Sequence, residues 1–489
     1  MATALALVAT LVLLGTGSGW AGSDEPSRGG ADAGPAKKRP NVVFVLADDF
    51  SWDLVPYMPH LRSMQRRGVT FKRHFVANSL CCPSRAAIFT GAYPHNSGIY
   101  ENAGADGGFL GFRRHGLETA TFATALEEGG FRTALMGKYL NSYPTHSRYI
   151  PPGWTDWVGS DRVYAGYNYD LNENGKISYH GFGPDDYITD VLARKGSSFI
   201  EDAAGERPFF LELATYAPHK PYTPAPRHAN LFPGLRAPRG PAFDRPNLNG
   251  PRWLQRRPRT PWEIAMIDYT FRDRVRSVRA IDEMIGRIQA TLRDRGLADD
   301  TYIVFSSDNG YHLGQHRLLP GKMTAFDSDV RVPLIVTGPG VPAGRKIERI
   351  TQSIDFNATF AELGGVRPSV LSDGRSLVPL LHGKRVGRWR RAALIEHRGP
   401  DMRPDDPDLP VPNAGDPPPT YEAIRTPFGL YVEYRNGDRE FYDLKRDPAQ
   451  IHNRYWSLRP QRVARLQATL NRLRACRGRA SCWAAARDG

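Results

Sequence analysis

Residues 41–47 read Asn-Val-Val-Phe-Val-Leu-Ala, an unbroken apolar and β-branched stretch. Such a run suits a strand covered on both faces, as in a parallel sheet. Stretches of similar character recur at 133–136, 208–214, 302–305 and 332–337. Helical spacing lies between them, over 58–67, 122–130 and, at length, 262–295. In the last of these Ile267, Phe271, Val275, Val278, Ile281, Ile285, Ile288 and Leu292 recur every three to four positions. Strands alternating with helices predict an α/β domain built on a mixed, largely parallel sheet flanked by helices. The Pro-, Arg- and Gly-rich stretch 221–261 predicts a long surface excursion.

After 373 the pattern changes. A Pro/Asp-rich loop over 399–420 precedes three alternating runs at 421–425, 430–434 and 440–443. These predict antiparallel strands, with Asn436-Gly437 as a hairpin turn. An amphipathic helix follows over 460–475, with Val463, Leu466, Leu470 and Leu473 on one side. The expected organisation is a leader over 1–21, a linker over 22–39, a main domain over 40–373 and a smaller C-terminal α+β subdomain over 374–489. No internal repeat is evident.

The leader is apolar over 2–14 and ends in small residues near Ala21, which resembles a secretory signal, although no Lys or Arg precedes it. Export to an extracellular setting is the expectation. No other stretch approaches the roughly 20 apolar residues of a membrane span, so stable membrane insertion is not expected. A net charge of +14 points towards nucleic acid, an acidic membrane face or a polyanionic substrate, and Arg-rich coding bias also contributes. No zinc-finger, RNP or basic-zipper pattern is present, so a nucleic-acid partner is not expected. The four cysteines fall into two local pairs. Cys476 and Cys482 are a disulfide candidate in an oxidising compartment.

Each buried run ends in polar residues. Asp48 and Asp49 follow the first, Gly137-Lys138 the second, Ala217-Pro218-His219 the third, and Asp308-Asn309-Gly310 the fourth. Singly these are turn formers, a surface lysine and a structural histidine. Together they fall at the carboxyl ends of strands, where open α/β sheets bind ligands. Asp48, Asp49, Asp308 and Asn309 make an oxygen-only set suited to Ca²⁺ or Mg²⁺. Residues 79–91 read Ser-Leu-Cys-Cys-Pro-Ser-Arg-Ala-Ala-Ile-Phe-Thr-Gly. Pro83 suits a first helical turn and Gly91 a stop, so Cys81 and Cys82 are expected just ahead of a helix N-terminus, with Arg85 reaching back towards Cys81.

The run Cys81-Cys82-Pro83-Ser84-Arg85 with its continuation resembles the signature of the type I sulfatases. The resemblance implies the sulfatase/alkaline-phosphatase-like fold. It implies that Cys81, not Cys82, is oxidised to formylglycine by a formylglycine-generating enzyme. The metal set then becomes Asp48, Asp49, the residue at Cys81, Asp308 and Asn309, with Ca²⁺ the expected ion and Mg²⁺ the alternative. Lys138 and Lys322 match the sulfate-binding lysines, Arg85 the arginine that supports the nucleophile, and His219 the histidine on the leaving-group side. Many relatives carry a histidine shortly after the first lysine; here Leu140 and Asn141 stand there, leaving His316 and Asn141 both open as the base. The segments 137–143, 167–175 and 186–193 resemble the N-acetylglucosamine-6-sulfatases, which implies a sulfated glycosaminoglycan sugar, with aryl sulfates as surrogates. An arylsulfatase, a phosphonate or phosphodiester hydrolase, and a non-catalytic polyanion-binding protein are the competing expectations.

Overall fold

The computed structural model describes residues 39–399, 406, 408 and 417–487. The leader and nearly all of the linker lie outside the described residues.

The large sheet contains ten strands. In chain order these are β1 (Asn41–Ala47), β2 (Val69–Phe71), β4 (Arg132–Lys138), β5 (Asp156–Ser160), β6 (Tyr169–Glu173), β7 (Lys176–His180), β8 (Phe209–Ala214), β9 (Thr301–Ser307), β10 (Leu334–Thr337) and β11 (Arg345–Ile347), while β3 (His74–Phe75) pairs with β12 (Thr351–Gln352) in a separate two-stranded sheet. Across the large sheet the order is β11-β2-β10-β9-β1-β8-β4-β5-β6-β7. Its centre, β9-β1-β8-β4-β5, is parallel throughout. That pairing buries both faces, which is why β1 and β8 carry hydrophobic runs where one-sided strands would alternate.

Side chains of β1 divide between the two faces with period two. Val43, Val45 and Ala47 join the core beneath the helices Ile188–Ala203 and Pro261–Asp294. Val42, Phe44 and Leu46 join the core beneath Cys81–Thr90, Phe122–Glu128 and Asp355–Gly364. All eight apolar positions expected along the long helix are buried. Its start is fixed by Thr260, whose side chain caps the Glu263 amide while Glu263 reaches back to the Thr260 amide.

The C-terminal subdomain contains a four-stranded antiparallel sheet of β13 (Ala393–His397), β14 (Tyr421–Thr426), β15 (Gly429–Tyr434) and β16 (Arg439–Asp443). Gly437, at φ 96°, makes the expected turn between the last two strands. Helix Pro460–Arg474 packs Leu470 and Leu473 on this sheet, whereas Val463 and Leu466 stay half-buried. Cys476 and Cys482 form a disulfide. Among the described residues no helix is long and apolar enough to cross a membrane.

Three local expectations change. The helix after Ser79 begins at Cys81, so both cysteines lie within its first turn rather than ahead of it; a proline is accommodated anywhere in that turn because its N–H has no partner to lose. The excursion over 221–261 is not purely superficial: Ala225, Asn247 and Leu254 are buried. The strand expected over 332–337 forms only from Leu334.

Candidate active site

Parallel pairing places distant residues side by side. Ala47 lies opposite Ser307 in the β1–β9 register, so Asp48-Asp49 and Asp308-Asn309 leave the sheet together. The Asp49 amide donates to Asp308 Oδ1 at 3.1 Å, and Asn309 Nδ2 donates to Asp49 Oδ1 at 2.7 Å. Asp49 takes φ 62°, a left-handed conformation that Asp tolerates better than most residues. On the other side of β1, β8 leads out to His219, and beyond it β4 ends in Lys138. Gly137 takes φ 114°, and a Cβ there would sit 1.9 Å from the Ala214 carbonyl oxygen. Only glycine lets β4 close on β8 immediately before that lysine.

Lys138 Nζ donates to Asp48 Oδ2 at 2.7 Å. Lys322 Nζ donates to Asp49 Oδ1 at 2.6 Å and to Cys81 Sγ at 2.7 Å. The Cys81 thiol also faces Asp48 Oδ1 at 3.5 Å. Arg85 Nε donates to Asp308 Oδ2 and its Nη1 to the Lys138 carbonyl, both at 2.8 Å, and Cys81 is among the groups that act on its charge. His219 Nδ1 lies 2.8 Å from the Lys220 carbonyl, a contact it makes as donor, which leaves Nε2 facing Asp49 at 3.7 Å. Asp48, Asp49, Cys81 and His219 each bring a donor atom to within 4.8 Å of the others.

Cys82, one residue on, meets a different environment. It packs in the apolar layer with Phe89 and Phe109, and burial pushes its thiol up to about 12. Cys81 is the thiol that meets charge. Burial, then Asp408, raises its pKa, against Lys138 and Lys322. Burial opposes the charged forms of Lys138 and Lys322, yet the neighbouring carboxylates outweigh it and hold both well above the usual lysine range. His219 is likewise opposed by burial and raised by Asp49, Asp48 and Asp408.

The carboxylates of Asp48, Asp49 and Asp308 are almost wholly excluded from solvent, and Asn309 Oδ1 is buried with no hydrogen-bond partner among the described residues. An orphaned amide oxygen beside three converging carboxylates fits a hard divalent cation held by oxygen. His316 and Asn141 lie outside this cluster of contacts. His316 stacks on Phe326 at 3.9 Å, burial lowers it to about 3, and among the described residues it bonds neither Cys81 nor Lys322. Asn141 bonds the Cys82 thiol through its backbone, and its side-chain oxygen is buried without a partner.

Two further residues belong to the site. Asp408 lies 2.7 Å from Lys322 Nζ, 2.8 Å from His219 Nε2 and 3.4 Å from Cys81 Sγ. Nothing in its loop sequence distinguishes it from neighbouring aspartates. Arg274 is fully buried and donates to the carbonyls of Asp49 at 2.6 Å and Pro218 at 3.1 Å, tying the ends of β1 and β8 together. A signal for it existed: an arginine inside the apolar stripe of the long helix, beside Phe271 and Val275.

Residues 40–366 match the family described as Sulfatase. The chain belongs to the sulfatase family. This sulfatase is 33% identical over 483 residues to an N-acetylglucosamine-6-sulfatase of Capra hircus, covering 92% of this chain and 86% of that one. It is 34% identical over 375 residues to an extracellular sulfatase SULF-1 homolog of Drosophila melanogaster, covering 74% of this chain but 33% of that one. Its fold matches a structure solved in complex with its substrate D-glucosamine-2-N,6-O-disulfate, with TM-score 0.75, 24% identity, and coverage of 89% of this chain and 97% of that one.

Proposed function

We propose that this sulfatase is an exported enzyme that hydrolyses the 6-O-sulfate of N-acetylglucosamine or of a related glycosaminoglycan sugar, using a formylglycine made from Cys81 and a Ca²⁺ ion. The observation that carries the reading is the placement of the Cys81 sulfur against Lys322 and Asp48 while Cys82 packs in the core. The substrate follows the family branch, whose relatives match across nearly the whole chain.

Asp48, Asp49, Asp308 and Asn309 would hold the cation, whose chemistry there is to draw negative charge from oxygen at position 81. Formylglycine at that position would supply a hydrated aldehyde, an oxygen nucleophile able to release sulfate by returning to the aldehyde. Lys138 and Lys322 are fixed cations in a dry site, suited to the charge that grows on sulfate oxygens. Arg85 fixes Asp308 and the end of β4 through its two bonds, holding the acidic and basic groups in register. His219 is oriented by its Nδ1 contact, so Nε2 is the atom that hands a proton to the departing alcohol oxygen.

The test pairs turnover with chemistry at one residue. Mass spectrometry of the peptide containing Cys81 should show the loss that accompanies –CH₂SH becoming –CHO. Cys81→Ala should abolish hydrolysis of 6-O-sulfated N-acetylglucosamine, and Cys82→Ala should retain it. Faster hydrolysis of an aryl phosphonate than of any sulfate ester would overturn the substrate assignment, and retained activity in Cys81→Ala would overturn the nucleophile.

A further inference from the structure

A strongly cationic groove of about 1210 Å³ lies outside the site, beside β11. Ten of its lining residues are Arg or Lys and one, Glu348, is acidic. Glu348 is taken by Arg73 at 3.3 Å, and Arg390 is committed to buried Asp355. Lys346, Arg349, Lys384, Arg385, Arg388 and Arg391 are all exposed, and among the described residues none makes an ion pair. Like charges gathered on a concave surface repel one another and concentrate counter-anions. At one wall Phe428 is 51% exposed, with Arg73 at 5.9 Å and Lys445 at 4.2 Å from its ring centre. An exposed ring between cations offers an apolar face beside anion-binding groups.

The groove also opens in the right direction. β2 is antiparallel to β10, and β10 to β9, so β2 and its parallel partner β11 run the same way as β9 and β1. Their carboxyl ends therefore point to the edge on which the Cys81 site is built. Arg73 precedes Cys81 by eight residues, which limits the distance between them to about 28 Å.

We infer that this groove is an exosite for a sulfated polysaccharide, binding several sulfate groups of one chain while a sugar of that same chain is presented to Cys81. The choice of polymer rests on the function proposed above; the anion-binding character of the groove does not. The variant Arg349→Ala/Arg385→Ala/Arg388→Ala removes three exposed cations that make no ion pair among the described residues. Heparin affinity, measured in a Cys81→Ala background at physiological salt, should fall about tenfold with a shallower salt dependence. In otherwise wild-type protein the same three changes should raise KM for long 6-O-sulfated oligosaccharides by a similar factor, leaving kcat and the turnover of a monosaccharide sulfate unchanged. Single Arg385→Glu and Arg388→Glu variants carry the test if the triple variant does not fold. Unchanged heparin affinity would overturn the proposal. Duplex DNA binding as tightly as heparin, and being lost in the same variants, would overturn the glycan assignment in favour of nucleic acid. Because binding is read without turnover, loss of heparin affinity in a protein that cleaves no sulfate ester would support the exosite while the proposed function falls.

Discussion

Glu212 is an acid in the middle of β8, opposite Phe44 and Leu135, with no exposure to solvent. Among the described residues neither carboxyl oxygen has a hydrogen-bond partner, and burial raises its pKa from 4.5 to about 8, partly offset by Arg85. The native state therefore keeps a proton that the unfolded chain gives up near its ordinary value. Stability from this group is complete below about pH 4.5 and is lost as pH rises towards about 8. Each tenfold change in proton affinity is worth about 1.4 kcal/mol, so the whole interval represents about 5 kcal/mol, of which roughly 3 to 4 falls between pH 5 and pH 8. Glu212→Gln removes the titration while keeping the shape. Urea unfolding of both proteins across that range isolates the effect, because other groups cancel in the difference. Wild type should lose about 3 to 4 kcal/mol relative to the variant on going from pH 5 to pH 8. A difference that stays flat within about 1 kcal/mol would refute the reasoning, since it would mean that Glu212 titrates as if solvated. A difference of opposite sign would mean that it is an ionised partner of Arg85.

Two other outcomes concern the site itself. Arg85→Ala leaves the buried Asp308 carboxylate without its guanidinium and, measured after chelation, should cost about 3 to 5 kcal/mol in unfolding free energy; a loss below about 1 kcal/mol would remove Arg85 from its bracing role. Chelation should lower the Tm and Ca²⁺ should restore it, with a gain of about 2.7 kcal/mol at a hundredfold excess over Kd, and Asp308→Asn should abolish that response; an identical Tm with and without Ca²⁺ would argue against an ion at these oxygens.

The central strands and the long helix were legible because burial on both faces writes itself as unbroken apolar runs, and burial on one side as a stripe of period 3.6. On the antiparallel flank, β7 escaped because it is exposed or half-buried at every position and so carries no apolar pattern, and β5 and β6, though largely buried, are only five residues each with polar residues among the buried ones. Asn174-Gly175, which turns β6 into β7, was a hairpin signal visible in the chain. Glu212 was visible too, as a lone acid within an apolar strand, but sequence alone cannot say whether such a group is paired. Asp408 could not have been found this way, for it lies in no strand or helix and no periodicity marks it.

What the pattern did carry was the direction of each strand, and that was enough to gather the site. Asp48 and Asp308 are separated by 260 positions in the chain, and no local rule joins them. Yet every polar cluster followed a strand at its carboxyl end, and in a parallel sheet all those ends lie on one edge. Which ends become neighbours depends on strand order, and here β9-β1-β8-β4 sets an acid and an amide, two acids, a histidine and a lysine on four consecutive strands. The residues that hold this edge rigid, Arg85 and Arg274, are buried cations whose partners are largely backbone carbonyls at strand ends. Backbone partners leave no trace in side-chain pattern, so an arginine inside the apolar stripe marks Arg274 as unusual without showing which strand ends it holds.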